Sequence, residues 1–284
     1  MNRRIIALTV LLTAAATPAL GEIVQLGWGG QHQTNTLSAV RAAFSAGLKG
    51  VEIDLCVTRD GVAIGLHDAE LSNETDGQGD VTNHDWADVA NLRHNRRGER
   101  ISRLTDLLTE IKRWDGEVFL DVRQVPAAAV GAAIAESGFD ESRIAVTVFD
   151  NSVATDYRAA FPALAGIYLK SYDSHSAFDE NFLDTVKEFG YTGLAFSSRP
   201  ELPPASLMER LETRSLKSYT FVGFTEHDVQ ALNSLGVDYV VMVSAAAGNH
   251  YQATGGAGVV RPGVLLLLMT WVAWRCVARR DKGG

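Results

Sequence analysis

The sequence predicts an α/β fold of the (β/α)8 TIM-barrel type. Two observations point there: short apolar strands alternate with amphipathic helical stripes along most of the chain, and eight such units fit into about 225 residues. In that architecture functional side chains gather at the C-terminal ends of the strands, and several of the strands found below end in charged or polar residues.

The N-terminus reads first as a leader. MNRR, the apolar run IIALTVLLTAAA and the small-residue stretch TPALG have the order of a secretory signal peptide over residues 1–21. The predicted barrel then occupies 22–248. Its first strand, Ile23 to Leu26, runs into the glycine-rich LGWGGQHQ, which contains His32. Asn35 to Ala46 carries Leu37, Val40, Ala43 and Phe44, with Leu48 just beyond, as a helical stripe that packs, and Gly47 suits its end.

Residues 50–71, GVEIDLCVTRDGVAIGLHDAEL, organise the chemistry. Val51, Ile53 and Leu55 alternate with Glu52 and Asp54, so both carboxylates lie on one side of a strand. Two acids on a buried face face desolvation and mutual repulsion, which a cation offsets; hard oxygen ligands suit Mg2+ or Ca2+ better than zinc. The Arg59-Asp60-Gly61 turn and the apolar run Val62 to Leu66 return His67 toward the same end. Taken alone, the acids also fit a solvated strand with a surface histidine.

A polar excursion follows, with a short helix from about Asp85 to Leu92 and two expected surface histidines, His84 and His94. ISRLTDLLTEIKRW puts Leu104, Leu107, Leu108 and Ile111 on one helical face. In GEVFLDVRQ, residues 116–124, Asp121 and Arg123 share a strand side, which also fits an exposed edge pair. Helices at 127–137, 152–161, 178–189, 204–213 and 226–235 then alternate with strands at 143–148, 164–169, 192–196, 217–222 and 238–243. Lys170 and Arg199 follow two of these strands, within possible reach of a phosphate, but read as solvated loop charges.

Composition narrows the partners. With 46% hydrophobic residues, 21% charged residues and a formal net charge of −8, the chain argues against nucleic acid. Cys56 and Cys276 do not form a disulfide framework. A Gly-rich linker, 249–262, leads to an apolar segment with a basic end, 263–284: Gly263 to Trp274, then Arg275, Arg279 and Arg280. This segment reads as a C-terminal membrane anchor with the arginines on the cytoplasmic side; the uncharged run is shorter than a standard span of about 20 residues, which leaves an amphipathic helix docked on the barrel as the alternative. The localisation implied is periplasmic or otherwise extracytoplasmic.

Asn35-Thr36-Leu37, Glu52 with Asp54, Thr58 to Gly61, and His67-Asp68 with Leu71 together resemble the N-terminal signature of the glycerophosphodiester phosphodiesterase family, densest over residues 35–123. The resemblance implies a TIM barrel and a phosphoric diester hydrolase acting on glycerophosphodiesters. It implies a metal site of Glu52, Asp54 and Asp121, with Arg123 holding the phosphate and His67 as one of two acid-base histidines. Two departures stand out. Gly27-Trp28-Gly29 occupies the family's His-Arg-Gly position, and Phe221-Val222-Gly223-Phe224 replaces its Trp-Thr-Val-Asn-like run. His32, which precedes Glu52 by 20 residues and His67 by 35, a spacing similar to the sphingomyelinase D-like branch, is the substitute acid-base residue that this resemblance implies; the alternative is a loop histidine and a crippled site. That branch implies lysophospholipid substrates and a cyclic phosphate product; an inactive barrel that binds phospholipid headgroups is the third possibility. Oligomeric state is left open.

Overall fold

The computed structural model describes residues 21–25, 33–45, 48–198, 200–223 and 231–243. Eight parallel strands close on themselves. They are β1 (Gly21–Gln25), β2 (Gly50–Val57), β5 (Glu117–Asp121), β6 (Ile144–Val148), β7 (Gly166–Ser171), β8 (Gly193–Ser197), β9 (Lys217–Gly223) and β10 (Tyr239–Val243). β1 pairs with β2 on one side and with β10 on the other, which completes the barrel. The strand beginning at Gly21 takes the last residue of the expected leader, because Gly21 is in register with Tyr239.

Helices α1 (Leu37–Ser45), α4 (Leu104–Arg113), α5 (Ala127–Ser137), α6 (Asn151–Ala160), α7 (Glu180–Glu188) and α8 (Ala205–Thr213) cover the outside. Their boundaries follow local chemistry. Asp150 caps α6 by accepting from the Ser152 and Val153 amides, Asp179 caps α7 by accepting from Phe182, and α5 stops at Gly138, which adopts φ +59°. The expected stripe of Leu104, Leu107, Leu108 and Ile111 is fully buried. Each such side chain removed from water contributes about 1.5–3 kcal/mol.

The inside of the barrel is a separate core. Phe119, Ala145, Tyr168, Ala195, Tyr219 and Val241 meet there. The Phe119 ring lies 5.5 Å from Tyr168, 5.0 Å from Tyr219 and 5.1 Å from Tyr239, within the range of favourable tilted aromatic pairs. Aromatic residues thus plug the N-terminal part of the barrel. The next inward positions, Asp54, Asp121, Thr147 and Lys170, are left to face one another at the C-terminal end.

Between β2 and β5 the chain makes its excursion. β3 (Ala63–Gly65) pairs antiparallel with β2 and with β4 (Ser102–Arg103), and the short helices α2 (Leu71–Glu74) and α3 (Trp86–Val89) lie between β3 and β4. Cys56, Ile64, Leu66, Leu71, Val81, Val89 and Ile101 give it a small core of its own. Burial pushes the Cys56 thiol up to about 12, and its Sγ donates to the Leu66 carbonyl at 3.3 Å, so the residue packs rather than reacts.

His94 corrects an expectation. It is not a surface residue: it is 1% exposed, and neither ring nitrogen has a hydrogen-bond partner. Its neighbour Thr75 pairs with it across an antiparallel bridge, which turns the side chain inward. Burial holds the imidazole below its ordinary value, opposed by the Glu99 carboxylate and the Glu74 backbone.

Two predictions follow from the packing. A Cβ added at Gly65 would lie 2.7 Å from the Asn35 carbonyl oxygen and 2.9 Å from Leu107 Cδ1, so Gly65→Ala should destabilise the fold by about 1–3 kcal/mol, read from urea unfolding. For His94, the unfolded chain takes up a proton near its ordinary pKa of about 6.5, whereas the folded chain resists it, so this residue costs stability as pH falls below that value. The loss of stability between neutral pH and pH ~5.5 should therefore be smaller in His94→Leu than in the wild type. An equal loss in both would show that His94 is not charged on unfolding.

Candidate active site

Glu52, Asp54 and Asp121 meet at the C-terminal mouth. One carboxylate oxygen from each lies within 4.8 Å of the others. The register explains the meeting: Asp54 is directly opposite Asp121 on the parallel pair β2–β5, and Glu52 points inward two residues earlier on β2. Their relative exposures are 1%, 1% and 0%. Burial, and then the neighbouring Asp54 charge, holds the Glu52 carboxyl well above its ordinary value. Asp54 is raised by burial and by Asp121. The solvated strand and the exposed edge pair are thereby excluded.

Three groups hold this acid cluster together. Lys170 donates from Nζ to Asp121 Oδ2 at 2.6 Å and is itself 5% exposed. This corrects its assignment as a solvated loop charge: it lies within β7, one strand beyond β6, and points into the barrel. Burial lowers its pKa, but the Glu52 and Asp121 charges outweigh that and raise it overall. Arg123 donates from Nη1 to the His67 carbonyl at 2.6 Å, and its guanidinium nitrogens stand 3.5 Å from Asp54 Oδ1 and 3.6 Å from Asp121 Oδ2. Asn35 donates from Nδ2 to Asp54 Oδ2 at 3.3 Å and accepts from the Asp54 amide at 3.1 Å. Asn35 and Arg123 both adopt left-handed backbone conformations, φ +59° and +43°, which asparagine tolerates better than arginine.

Among the described residues two buried carboxylate oxygens remain unpartnered, Glu52 Oε2 and Asp121 Oδ1, and Thr147 Oγ1 and the Tyr219 hydroxyl also lack a partner. Buried carboxylate oxygens without a donor are costly in a folded protein. Three hard oxygen donors in one pocket suit a divalent cation of the Mg2+ or Ca2+ type.

His67 is half-exposed, beyond β3 on the same end of the barrel. Its Nδ1 lies 2.7 Å from Asp68 Oδ1. Asp68 is anchored in turn, since its amide donates to Glu74 Oε1 at 2.7 Å and its Oδ2 accepts from Asn73 at 3.2 Å. His67, Asp68 and Glu74 form a second compact group of potential ligands. His67 Nδ1 and Asp68 Oδ1 are committed to each other, and Glu74 holds the Asp68 backbone, so the arrangement orients an imidazole. His32, Arg199 and the Gly27-Trp28-Gly29 stretch lie outside the described residues.

Residues 27–132 match the model of the glycerophosphoryl diester phosphodiesterase family. The chain is 36% identical over 105 residues to glycerophosphodiester phosphodiesterase 1 of Mus musculus, which covers 34% of this chain and 32% of the relative. It is 31% identical over 115 residues to probable glycerophosphodiester phosphodiesterase 2 of Mycobacterium tuberculosis, 40% of this chain and 42% of the relative. The chain therefore spans about a third to two fifths of these relatives' lengths.

The fold likeness extends further. A glycerophosphoryl diester phosphodiesterase structure from Silicibacter pomeroyi superimposes with a TM-score of 0.69 at 19% identity, over 80% of this chain and 90% of that one. An Oleispira antarctica phosphodiesterase solved with the product sn-glycerol-3-phosphate gives 0.69 at 19% identity, over 78% and 91%. These likenesses establish the barrel. Glu52, Asp54, His67 and Asp121 all fall inside the family-matched segment, whereas Lys170 lies outside it.

Sequence reasoning passed over Lys170, Asn35, Thr147 and Tyr219 as site residues. Lys170 had a detectable signal: it sits two residues after Tyr168 and so shares that residue's inward side of β7. Lys170→Met should strand Asp121 in the interior and destabilise the metal-free protein by about 3–5 kcal/mol, with Asp121→Asn in the same chain restoring much of it. A double-mutant cycle by chemical denaturation measures the coupling, and independent effects of the two changes would contradict it.

Proposed function

We propose that this protein is a metal-dependent phosphodiesterase that hydrolyses glycerophosphodiesters to an alcohol and glycerol phosphate. The observation that carries the reading is the buried Glu52-Asp54-Asp121 cluster, with two unpartnered oxygens, beside an imidazole held by a carboxylate. The names of the relatives support the substrate class.

Glu52, Asp54 and Asp121 would hold one divalent cation, Mg2+ or Ca2+. When bound, such an ion supplies Lewis-acid charge to a non-bridging phosphate oxygen. Three carboxylates set against Lys170 and Arg123 leave one formal negative charge, which a divalent ion turns into one positive, the complement of a phosphodiester monoanion. Lys170 pairs with Asp121 through its 2.6 Å bond and so holds that carboxylate in place beside the other two. Arg123 spans Asp54, Asp121 and the His67 carbonyl, so it sets His67 relative to the acids and presents a planar donor to the phosphate. Asp68 fixes the His67 ring by engaging Nδ1, which leaves Nε2 to exchange a proton with the attacking water or the leaving oxygen. His32 is the proposed second acid-base group.

The proposal includes export by the 1–21 leader and attachment through residues 263–284, both read from sequence. Among the described residues no helix is long and apolar enough to cross a membrane.

The deciding assay incubates the purified protein with glycerophosphocholine or lysophosphatidylcholine, with Mg2+, Ca2+ or EDTA, and identifies products by mass spectrometry. Glycerol phosphate and choline should form from glycerophosphocholine only with metal, and His67→Ala should slow the reaction by about 10²–10⁴-fold. A cyclic lipid phosphate would assign cyclisation instead of hydrolysis. No metal-dependent turnover across a panel of phosphodiesters would overturn the enzymatic reading.

A further inference from the structure

The excursion contains a charged feature with no part in the proposed hydrolysis. Residues 93–100, Arg-His-Asn-Arg-Arg-Gly-Glu-Arg, set four arginines against one glutamate in a chain of net charge −8. They form a tight hairpin. Arg93 pairs with Arg100 across an antiparallel bridge, the His94 amide donates to the Glu99 carbonyl at 2.8 Å, and the Gly98 amide donates to the His94 carbonyl at 2.8 Å. Gly98 closes the turn at φ +68°, a conformation glycine adopts without strain.

All four arginines are exposed. Glu99 does not neutralise them, because its carboxylate turns toward the barrel, accepting from the Ser38 hydroxyl at 2.6 Å and the Gln33 amide at 3.5 Å. Arg93 donates from Nη1 to the Gly98 carbonyl at 2.7 Å, and Asp76 accepts the Arg93 amide at the hairpin's base at 2.7 Å. Among the described residues no ion pair engages Arg96 or Arg100. Like charges set opposite one another in a ladder are destabilising, so the fold holds this charge density against repulsion.

The hairpin is fixed beside the candidate site. The Asn95 amide donates to the Glu74 carbonyl at 2.8 Å, and Glu74 accepts from the Asp68 amide, whose side chain engages His67. The clamp from Glu99 to Ser38 ties its other strand to the start of α1, next to Asn35 and hence to Asp54.

We propose that the 93–100 hairpin is a docking surface for an anionic phospholipid bilayer, which sets the mouth of the barrel against the headgroups. Dispersed phosphates fit it better than a single bound one. A cavity of about 250 Å3 at the hairpin is bordered by Arg100 but also by Glu99 and Asp106, which disfavours an anion inside it. Arg96 is exposed and has no ion pair among the described residues, as an extended anionic surface requires, and each basic residue near such a surface contributes about 1 kcal/mol, or roughly fivefold in partitioning.

The test uses the full chain and vesicles of phosphatidylcholine alone or doped with phosphatidylglycerol. The readout is the ratio of the two partition coefficients, because the C-terminal apolar segment contributes to both. The wild type should favour the doped vesicles by about 25-fold or more at low salt, and the ratio should shrink as salt rises. Arg96→Gln/Arg100→Gln should lower the ratio by roughly 25-fold, whereas Arg96→Lys/Arg100→Lys, which keeps the charge, should retain it. An unchanged ratio in the glutamine variant overturns the proposal. So does a wild type indifferent to phosphatidylglycerol, which would leave an acidic protein as the matching partner. Turnover of soluble glycerophosphocholine is scored separately, so failure of the hydrolytic reading leaves the vesicle result intact.

Discussion

Three carboxylates share a space from which water is excluded, and the mouth of the barrel is arranged around that constraint. Left alone, Glu52, Asp54 and Asp121 would each lose hydration and repel the other two. The neighbouring elements supply compensation from several directions: Lys170 from β7, Arg123 from the end of β5, and Asn35 from the loop before α1. The compensation is incomplete, since Glu52 Oε2 and Asp121 Oδ1 still lack partners. A stability-optimised interior would not leave them so, and the proposed cation site would give them a purpose.

The same constraint accounts for local backbone strain. Arg123 and Asn35 are among the few described non-glycine residues at positive φ, and both touch Asp54. Such conformations cost about 1–3 kcal/mol and persist where surrounding contacts enforce them. Gly65 belongs to this support, because only the absence of a side chain there lets the Asn35 carbonyl approach β3. The excursion extends the arrangement outward. Its own small core holds Glu74 and Asp68 in place, and through them His67, without drawing on the main core of the barrel.

Much of the fold was legible because alternation of strands and helices is a local property. The helix predicted at 127–137 coincides with α5, and the Leu104, Leu107, Leu108 and Ile111 stripe is the buried face of α4. Glu52 and Asp54 were legible as a pair because strand periodicity places them on one side. Asp121 could be placed only through its resemblance to a family motif, and the parallel register then set it opposite Asp54. Lys170 was misjudged because a lysine at a strand end is most often solvated, and His94 because a polar sequence gives no hint of which side chain turns inward.

By itself, then, the sequence determined the order of the elements, the side of each strand on which the acids lie, and the family likeness of residues 27–132. Those depend on spacing and residue type along the chain. Closure of β1 onto β10, the 2.6 Å contact between Asp121 and Lys170, the burial of His94 and the outward display of the arginine hairpin were decided only in three dimensions. Each joins segments far apart in the chain or depends on which face water can reach, and the physical cost of burying charge acts on that arrangement rather than on the order of residues.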